Sequence, residues 1–342
     1  MQPVAEFLST LQLGEPSQFS NMTLFPVYAP AAGAPDYLLL DEALARKLAH
    51  VTEVSESGSV PELLFVNDGD AKVLLVDGEE LVGARQNRIL NMSVLVGAKR
   101  KLVIPVSCVE QGRWQYRTHH FASANHALFS KARARKVRNV SASMRDSGAR
   151  YSNQIELWAD ISEKARFLRV ASETDSMSDI YEHHAALIDA YANAFVPWPG
   201  QSGAIVAIDG KIAGVELFDS PATFAAFMAK VVRSYAMDAI EAPAADAKPP
   251  VATLVQKFLA DMQAAALERF RALGDGEDLR LEGDSVAGAA LYAENRIVHL
   301  CAFPVEKPAR GPVGTVASID LERDFEAPAY LRRRHAVRRT RA

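Results

Sequence analysis

Two polar segments carry the side chains with the greatest chemical potential. The first runs from Asp77 to Arg88 and the second from Ser107 to Trp114. Each follows an apolar, β-branched run of strand length, so we expect both to emerge at one end or edge of the same sheet. Their reactive and hydrogen-bonding side chains are Glu79, Glu80, Arg85, Gln86, Asn87, Arg88, Cys108, Glu110, Gln111, Arg113 and Trp114.

One interpretation of this polar cluster is a ligand-binding site. Arginine side chains form bidentate hydrogen bonds with phosphate or carboxylate groups. Side-chain amides recognise hydrogen-bond patterns, and an indole stacks on a base or sugar. The predicted ligand-binding residues are Gln86, Asn87, Arg88, Gln111, Arg113 and Trp114. A structural network of Glu–Arg pairs between neighbouring strands explains the same residues equally well.

A second interpretation is catalysis. A carboxylate beside an apolar wall can act as a general acid or base, and the candidates are Glu79, Glu80 and Glu110. Arg88 or Arg113 would then stabilise developing negative charge. Cys108 is a candidate nucleophile, although a buried structural thiol is the favoured interpretation. The sequence leaves open whether the protein is an enzyme, and it indicates no particular cofactor.

Familiar motifs with defined chemistry are absent from the sequence. There is no G-x-G-x-x-G, no G-x-S-x-G, no H-E-x-x-H and no pair of C-x-x-C motifs. Asp179 and His183 stand four residues apart on a predicted helix, but no matching pair occurs on another helix. A plain ion pair explains this spacing, so no metal site is predicted.

Short apolar runs at about ten-residue spacing fill the first third of the chain, and turn residues such as Asn67-Asp68-Gly69 and Asp77-Gly78 separate them. This pattern predicts an antiparallel sandwich or barrel-like sheet, interrupted by one short helix from Asp41 to His50. A helical period follows from about Ala124 to Ala194.

The last third begins with a predicted hairpin at Asp209-Gly210 and a helix capped by Ser220. An amphipathic helix from Val251 to about Gly274 and a final hairpin complete the pattern. The prediction is an α+β fold with a β-rich N-terminal half, helical segments and a second hairpin-plus-helix half. Its expected parts are 1–122 (β-rich, with the polar cluster), 123–196 (helical), 197–330 (α+β) and a basic tail at 331–342, predicted to be disordered.

Composition is that of a globular protein, with 49% hydrophobic and 23% charged residues in 342. Only Cys108 and Cys301 are present, the N-terminus lacks a signal-peptide pattern, and no apolar run approaches the length of a membrane span. We therefore predict a cytoplasmic protein that does not enter a membrane.

Charge is unevenly distributed along the chain. The net charge is −4, yet 131–150 and 331–342 each carry +6, which leaves −16 on the other 310 residues. These basic segments lack interleaved aromatic residues, so nucleic-acid binding is a disfavoured but open alternative. Attraction between the acidic body and the basic segments also leaves a homo-oligomer open.

Three strings of the sequence resemble one known family. GEELVGARQNRILN (78–91), IPVSCVEQGRW (104–114) and GAIVAI through ELFDSP (203–221) are similar to the ARG and Rhodanese-Phosphatase-superfamily-associated protein family, with resemblance over roughly residues 15–305. That family is a domain of unknown function without established catalytic residues. The name of the family implies a genomic association with ADP-ribosylglycohydrolases and rhodanese or phosphatase-like proteins. Its genomic context implies a link to prokaryotic conflict systems.

The residues and the resemblance together predict a protein that binds a polar or phosphorylated small molecule. A nucleotide or ADP-ribose-like ligand is expected, with the protein an accessory component of a nucleotide-linked or conflict pathway. The alternatives are a hydrolase or transferase that uses Glu79, Glu80 or Glu110, and a nucleic-acid or protein-binding module that uses the basic segments.

Overall fold

The structure is a computed structural model that describes residues 3–30, 33–242 and 252–305. The described residues up to Val305 form one compact unit. The predicted basic tail and part of the loop before residue 252 lie outside the described residues.

Helices make up the smaller share of the elements. They are α1 (Pro3–Ser9), α2 (Leu40–Ala45), α3 (Ser130–Ser147), α4 (Gln154–Phe167), α5 (Met177–His183), α6 (Ala185–Ala194), α7 (Pro221–Glu241) and α8 (Ala252–Ala264). The strands are β1 (Gln12–Leu13), β2 (Ser17–Phe19), β3 (Met22–Tyr28), β4 (Tyr37–Leu39), β5 (Ala49–Glu53), β6 (Glu62–Asn67), β7 (Lys72–Leu75), β8 (Glu79–Gly83), β9 (Arg88–Leu90), β10 (Val94–Val96), β11 (Lys101–Cys108), β12 (Phe121–Ala127), β13 (Gly203–Ile208), β14 (Lys211–Phe218), β15 (Ala266–Arg271), β16 (Glu277–Glu282), β17 (Val286–Ala293) and β18 (Arg296–Pro304).

Three sheets organise these strands. A nine-stranded sheet has the order β1-β3-β13-β14-β18-β17-β16-β15, with β2 also paired to β3. A six-stranded sheet has the order β12-β8-β9-β11-β6-β5, and a small sheet has the order β10-β7-β4. Strand pairing among the described residues is antiparallel except between β4 and β7. The predicted α+β fold with a curled, barrel-like antiparallel sheet is confirmed.

Local sequence signals explain several element boundaries. Asp209 and Gly210 both have positive φ, as the predicted tight hairpin between β13 and β14 requires. The Ser220 side chain accepts a hydrogen bond from the Ala222 amide, and Pro221 opens α7, so the predicted cap is confirmed. Gly148, in the left-handed conformation, ends α3.

Two helices end earlier in the structure than the sequence predicts. The helix predicted from Asp41 to His50 ends at Ala45, and Ala49–Glu53 instead forms β5. The helix predicted to reach Gly274 ends at Ala264, and Ala266–Arg271 pairs with β16 as an edge strand. In both places the pairing of a strand with a distant partner outweighs the local helical period.

The hydrophobic core lies in layers on both faces of the sheets. Phe218, Phe224 and Tyr235 pack between the nine-stranded sheet and α7, and α1 and α8 cover the opposite face. A separate cluster, which includes Phe65 and Leu81, lies among the six-stranded sheet, the small sheet and α2. Helix α7 contacts β12 of the six-stranded sheet and β13 and β14 of the nine-stranded sheet, so it lies between the two.

A buried ion network joins these sheets. Arg133 of α3 is 1% exposed and donates hydrogen bonds to Glu216 of β14 and to Asp77, in the turn before β8. Lys136 donates to the other oxygen of Asp77, and His299 of β18 lies 3.1 Å from Glu216. Burial alone would raise the pKa of Asp77, but Lys136 and Arg133 hold that pKa below its ordinary value.

We expect Arg133→Met to lower the free energy of unfolding by about 3 to 5 kcal/mol, because it leaves Glu216 and Asp77 buried with less compensation. Urea unfolding measures the loss. Arg138→Met is the matched control, since Arg138 lies on the same helix and is exposed. Equal stability of the two variants would contradict the assigned role of the network.

The environment of Asp160 in α4 makes the stability of the folded protein depend on pH. Burial, with a contribution from the nearby Glu163 carboxylate, raises its pKa to about 6, although Arg135 opposes the shift. Because the folded protein raises this pKa, the protonated Asp160 carboxyl makes its full contribution to stability below its ordinary pKa of 3.8. That contribution is lost as pH rises through about 6.

We therefore expect Asp160→Asn to gain about 1 to 2 kcal/mol relative to wild type between pH 5 and pH 8, discounted for partial solvent access. Urea unfolding at both pH values measures this gain. The exposed Asp146→Asn variant is the control. A difference that does not change with pH would contradict the assigned pKa.

Candidate functional site

The two polar segments do meet, as the sequence predicts. Strands β8, β9 and β11 are neighbours in the six-stranded sheet, and the segment after β11 folds back over the turn between β8 and β9. The Gln86 side chain donates to the Glu110 carbonyl at 2.9 Å. The backbone N–H of Asn87 donates to the Glu110 carboxylate at 3.0 Å.

Glu110 and Arg113 form the centre of this cluster. Arg113 donates to both Glu110 oxygens, at 2.8 and 2.6 Å, and also to the carbonyls of Gly83 and Ala84. Burial alone would raise the pKa of Glu110, but the hydrogen bonds from Arg113 and the Asn87 amide outweigh it and lower the pKa. The carboxylate is therefore a fixed counter-charge and not a poised acid.

The other predicted carboxylates are also buried against partners of their own. Glu80 accepts hydrogen bonds from Ser178 at 2.8 Å and lies against His126, which stacks on Tyr181. Glu79 accepts hydrogen bonds from the Val76 amide and from Lys230, each at 2.8 Å. Burial, only partly offset by Lys230, raises the pKa of Glu79.

Cys108 has the environment of a structural thiol. Its side chain is fully buried and donates to Gln86 or to the Glu110 carbonyl, each at 3.3 Å. Burial raises the pKa of the thiol despite the nearby Arg88. Because the thiolate is the nucleophilic form, this environment suppresses the reactivity that a catalytic cysteine needs.

The remaining predicted ligand residues form the edge of the cluster. Arg88 is buried and donates to the Val60 carbonyl at 3.2 Å, with its guanidinium 5.7 Å from the centre of the Trp114 ring. Trp114 and Gln111 are half-buried, and the chain from Gln115 to His120 is exposed. The Nη2 nitrogen of Arg88 is buried without a hydrogen-bond partner. A ligand role for these residues stays a prediction.

A cleft lies elsewhere on the same sheet, where β5 and β12 form its two unpaired edges. Helix α2 packs against both strands. The cavity measures about 650 Å³, and we name it the seam cleft. Its lining residues are Asp41, Leu44, Ala45, Lys47, Ala49, His50, His120, Phe121, Ala122 and Ser123.

Two histidines face each other across this seam. The ring centres of His50 on β5 and His120 beside β12 are 5.6 Å apart in an edge-to-face arrangement. His50 Nδ1 lies 3.2 Å from the Asp68 carboxylate, which orients the ring. Within the part of the chain that the structure describes, no group of three or more His, Cys, Asp or Glu side chains is arranged to hold a metal ion.

Lys230 of α7 lies behind the cleft wall. Its ammonium donates to Asp41 at 2.7 Å, to Glu79 at 2.8 Å and to Ser123 at 2.8 Å. Burial alone would lower its pKa, but the carboxylates of Glu79 and Asp41 raise it. Lys230 is therefore a cation at neutral pH, which excludes it as a general base for Ser123.

Sequence reasoning did not find the seam cleft. Its lining residues come from positions 41–50 and 120–123, with Lys230 behind them, and no spacing in the sequence connects these three parts of the chain. The one local signal is the pair of adjacent histidines, His119 and His120, in a polar segment before β12.

The basic segment 131–150 is largely neutralised within the fold. Arg133 and Lys136 are buried in the ion network, Lys131 pairs with Glu241, Arg135 with Asp160, and Arg145 with Glu268 and Glu282. Most of the positive side chains of α3 thus form ion pairs with carboxylates of the same chain. No helix in the described ranges is long and apolar enough to cross a membrane.

The fold and the site define an α+β protein whose curled antiparallel sheet has a polar cleft at its open seam. The sequence model of the ARPP-1 family, the ARG and Rhodanese-Phosphatase-superfamily-associated Protein domain, matches residues 10–303. The chain belongs to this family, as its sequence motifs predict. No curated protein and no solved structure matches the chain.

We expect Glu110→Gln to lower the free energy of unfolding by about 3 kcal/mol, because Arg113 would keep its charge at 7% exposure without a carboxylate. Urea unfolding measures the loss. Glu173→Gln, an exposed change next to Thr174, which also contacts Glu110, is the control. Unchanged stability in Glu110→Gln would contradict a structural role for this carboxylate.

Proposed function

We propose that the chain binds a small polar molecule with an anionic group, of the phosphorylated nucleotide or ADP-ribose type, in the seam cleft. The observation that carries this proposal is the convergence of Lys47, His50, His120 and Ser123 on one cavity of about 650 Å³. Ligand-binding cavities for small molecules commonly measure about 300 to 1,000 Å³.

The chemistry of the cleft supports this class of ligand. An ammonium, imidazole N–H groups and a hydroxyl are hydrogen-bond donors that suit phosphate oxygens. Leu44, Ala49 and Phe121 supply an apolar wall against which a sugar or base can pack. An open seam between strands also gives the ligand access from solvent.

The family membership supports an accessory role. The family description records an association with ARG and with the rhodanese-phosphatase superfamily. An ADP-ribose-like ligand would connect the cleft with that association. On this proposal the protein recognises the ligand for a partner enzyme in a nucleotide-linked or conflict pathway.

Hydrolysis by the predicted carboxylates has less support. Glu79, Glu80 and Glu110 are each buried, each engaged by protein donors, and absent from the lining of the seam cleft. A general acid or base must reach a proton on the substrate, and none of the three lines the seam cleft.

We expect ADP-ribose or AMP, at 100 times its dissociation constant, to stabilise the protein by about 2.7 kcal/mol. His120→Ala should remove most of this stabilisation, because it removes one of the imidazoles that face the cleft. A thermal-shift titration with ADP-ribose, AMP, ribose 5-phosphate and inorganic phosphate measures both effects.

His119→Ala is the matched control, since both histidines are exposed but His119 contacts Tyr116 and does not line the cleft. Absence of a shift with all four compounds at millimolar concentration would contradict the proposal. Equal loss of the shift in both histidine variants would place the ligand outside the seam cleft.

A further inference from the structure

The ammonium of Lys230 has all of its donors in use. An ammonium carries three N–H groups, and Lys230 directs them to Asp41, Glu79 and Ser123 at 2.7 to 2.8 Å. Two of these acceptors, Asp41 and Ser123, belong to the lining of the seam cleft. The charge of Lys230 is therefore presented at the cleft wall through groups that a ligand can touch.

The two carboxylates on Lys230 have very different environments. The Glu79 side chain is 1% exposed, whereas the Asp41 side chain is 52% exposed. Glu79 is also held by the Val76 amide. Moving Glu79 away from Lys230 would leave a buried charge unpaired, while Asp41 can turn outward and regain water.

We infer that Lys230 is the anion-recognition group of the seam cleft and that Asp41 occupies the position which an anionic oxygen of the ligand takes. This inference rests on the proposed function and names the ligand group that the site recognises, a phosphate. On binding, one phosphate oxygen replaces the Asp41 carboxylate on Lys230, and Asp41 moves into solvent.

This exchange is inexpensive for the protein. Only Asp41 of this pair is exposed, so Asp41 regains water when it leaves, and a phosphate oxygen in its place restores the hydrogen bond and the charge contact that buried Lys230 loses. Glu79 and Ser123 stay in place and keep the ammonium oriented toward the cleft. Asp41 then acts as an internal competitor that weakens binding of any anion unable to reach Lys230.

The test measures the dissociation constants of inorganic phosphate and of ADP-ribose by calorimetry for wild type, Asp41→Ala and Glu42→Ala. We expect Asp41→Ala to bind both anions about five- to tenfold more tightly, because the competing carboxylate is gone. Glu42→Ala removes the same charge from the next residue of α2, where Glu42 pairs with Arg46, and should change the affinities much less.

A third variant separates the ammonium from a general charge effect. Adding Lys230→Gln to Asp41→Ala should abolish the gain, and circular dichroism with a urea unfolding curve establishes that the double variant is folded. If it does not fold, the comparison of Asp41→Ala with Glu42→Ala decides on its own. Tighter binding of inorganic phosphate alone would assign the site to free phosphate, whereas a gain for both anions fits a phosphorylated ligand.

Two outcomes would overturn the inference, and they are distinguishable. If wild type binds ADP-ribose and Asp41→Ala binds no more tightly than Glu42→Ala, the exchange at Lys230 is wrong while the proposed function stands. If neither wild type nor Asp41→Ala binds either anion, both the inference and the proposed function are wrong.

Discussion

The rest of the structure depends on one buried ion network, in which Arg133 lies between Glu216 and Asp77. It ties the nine-stranded sheet to the turn that begins β8. Gly78 in that turn has φ +83°, and a Cβ there would lie 2.8 Å from the Arg133 side chain, so only glycine fits. The same turn places Asp77 in the network and Glu79 beside Lys230. The buried network therefore also fixes the position of Glu79, which holds the Lys230 ammonium behind the seam cleft.

The cleft follows from how the six-stranded sheet curls. The sheet bends until β5 and β12 approach each other, as the contact between His50 and His120 shows, but the two edges do not pair. Helix α2 packs against both edges, which limits the length of open backbone at the seam. The polar groups of this sheet thus fall into two sets. One set is buried around Glu110 and Arg113, and the other faces the seam.

Much of the fold could be predicted from local patterns, because turns such as Asp209-Gly210 and caps such as Ser220 act over a few residues. The adjacency of the two polar segments was also predictable from their positions after strands. Whether Glu110 would be free or paired was not, because Arg113 satisfies it through geometry that composition does not encode. The seam cleft was out of reach for the same reason, since Asp41, Ser123 and Lys230 meet only through tertiary packing.

Hydrogen–deuterium exchange with and without ADP-ribose tests most directly whether the functional site is the seam cleft. Binding in the cleft predicts slower amide exchange in β5 and at His120–Ser123, with no change in the exposed segment 112–117 beside Trp114. Protection confined to segment 112–117 would contradict the account and return the site to the polar cluster that the sequence first suggested. Unchanged exchange throughout the chain at saturating ADP-ribose would contradict it as well.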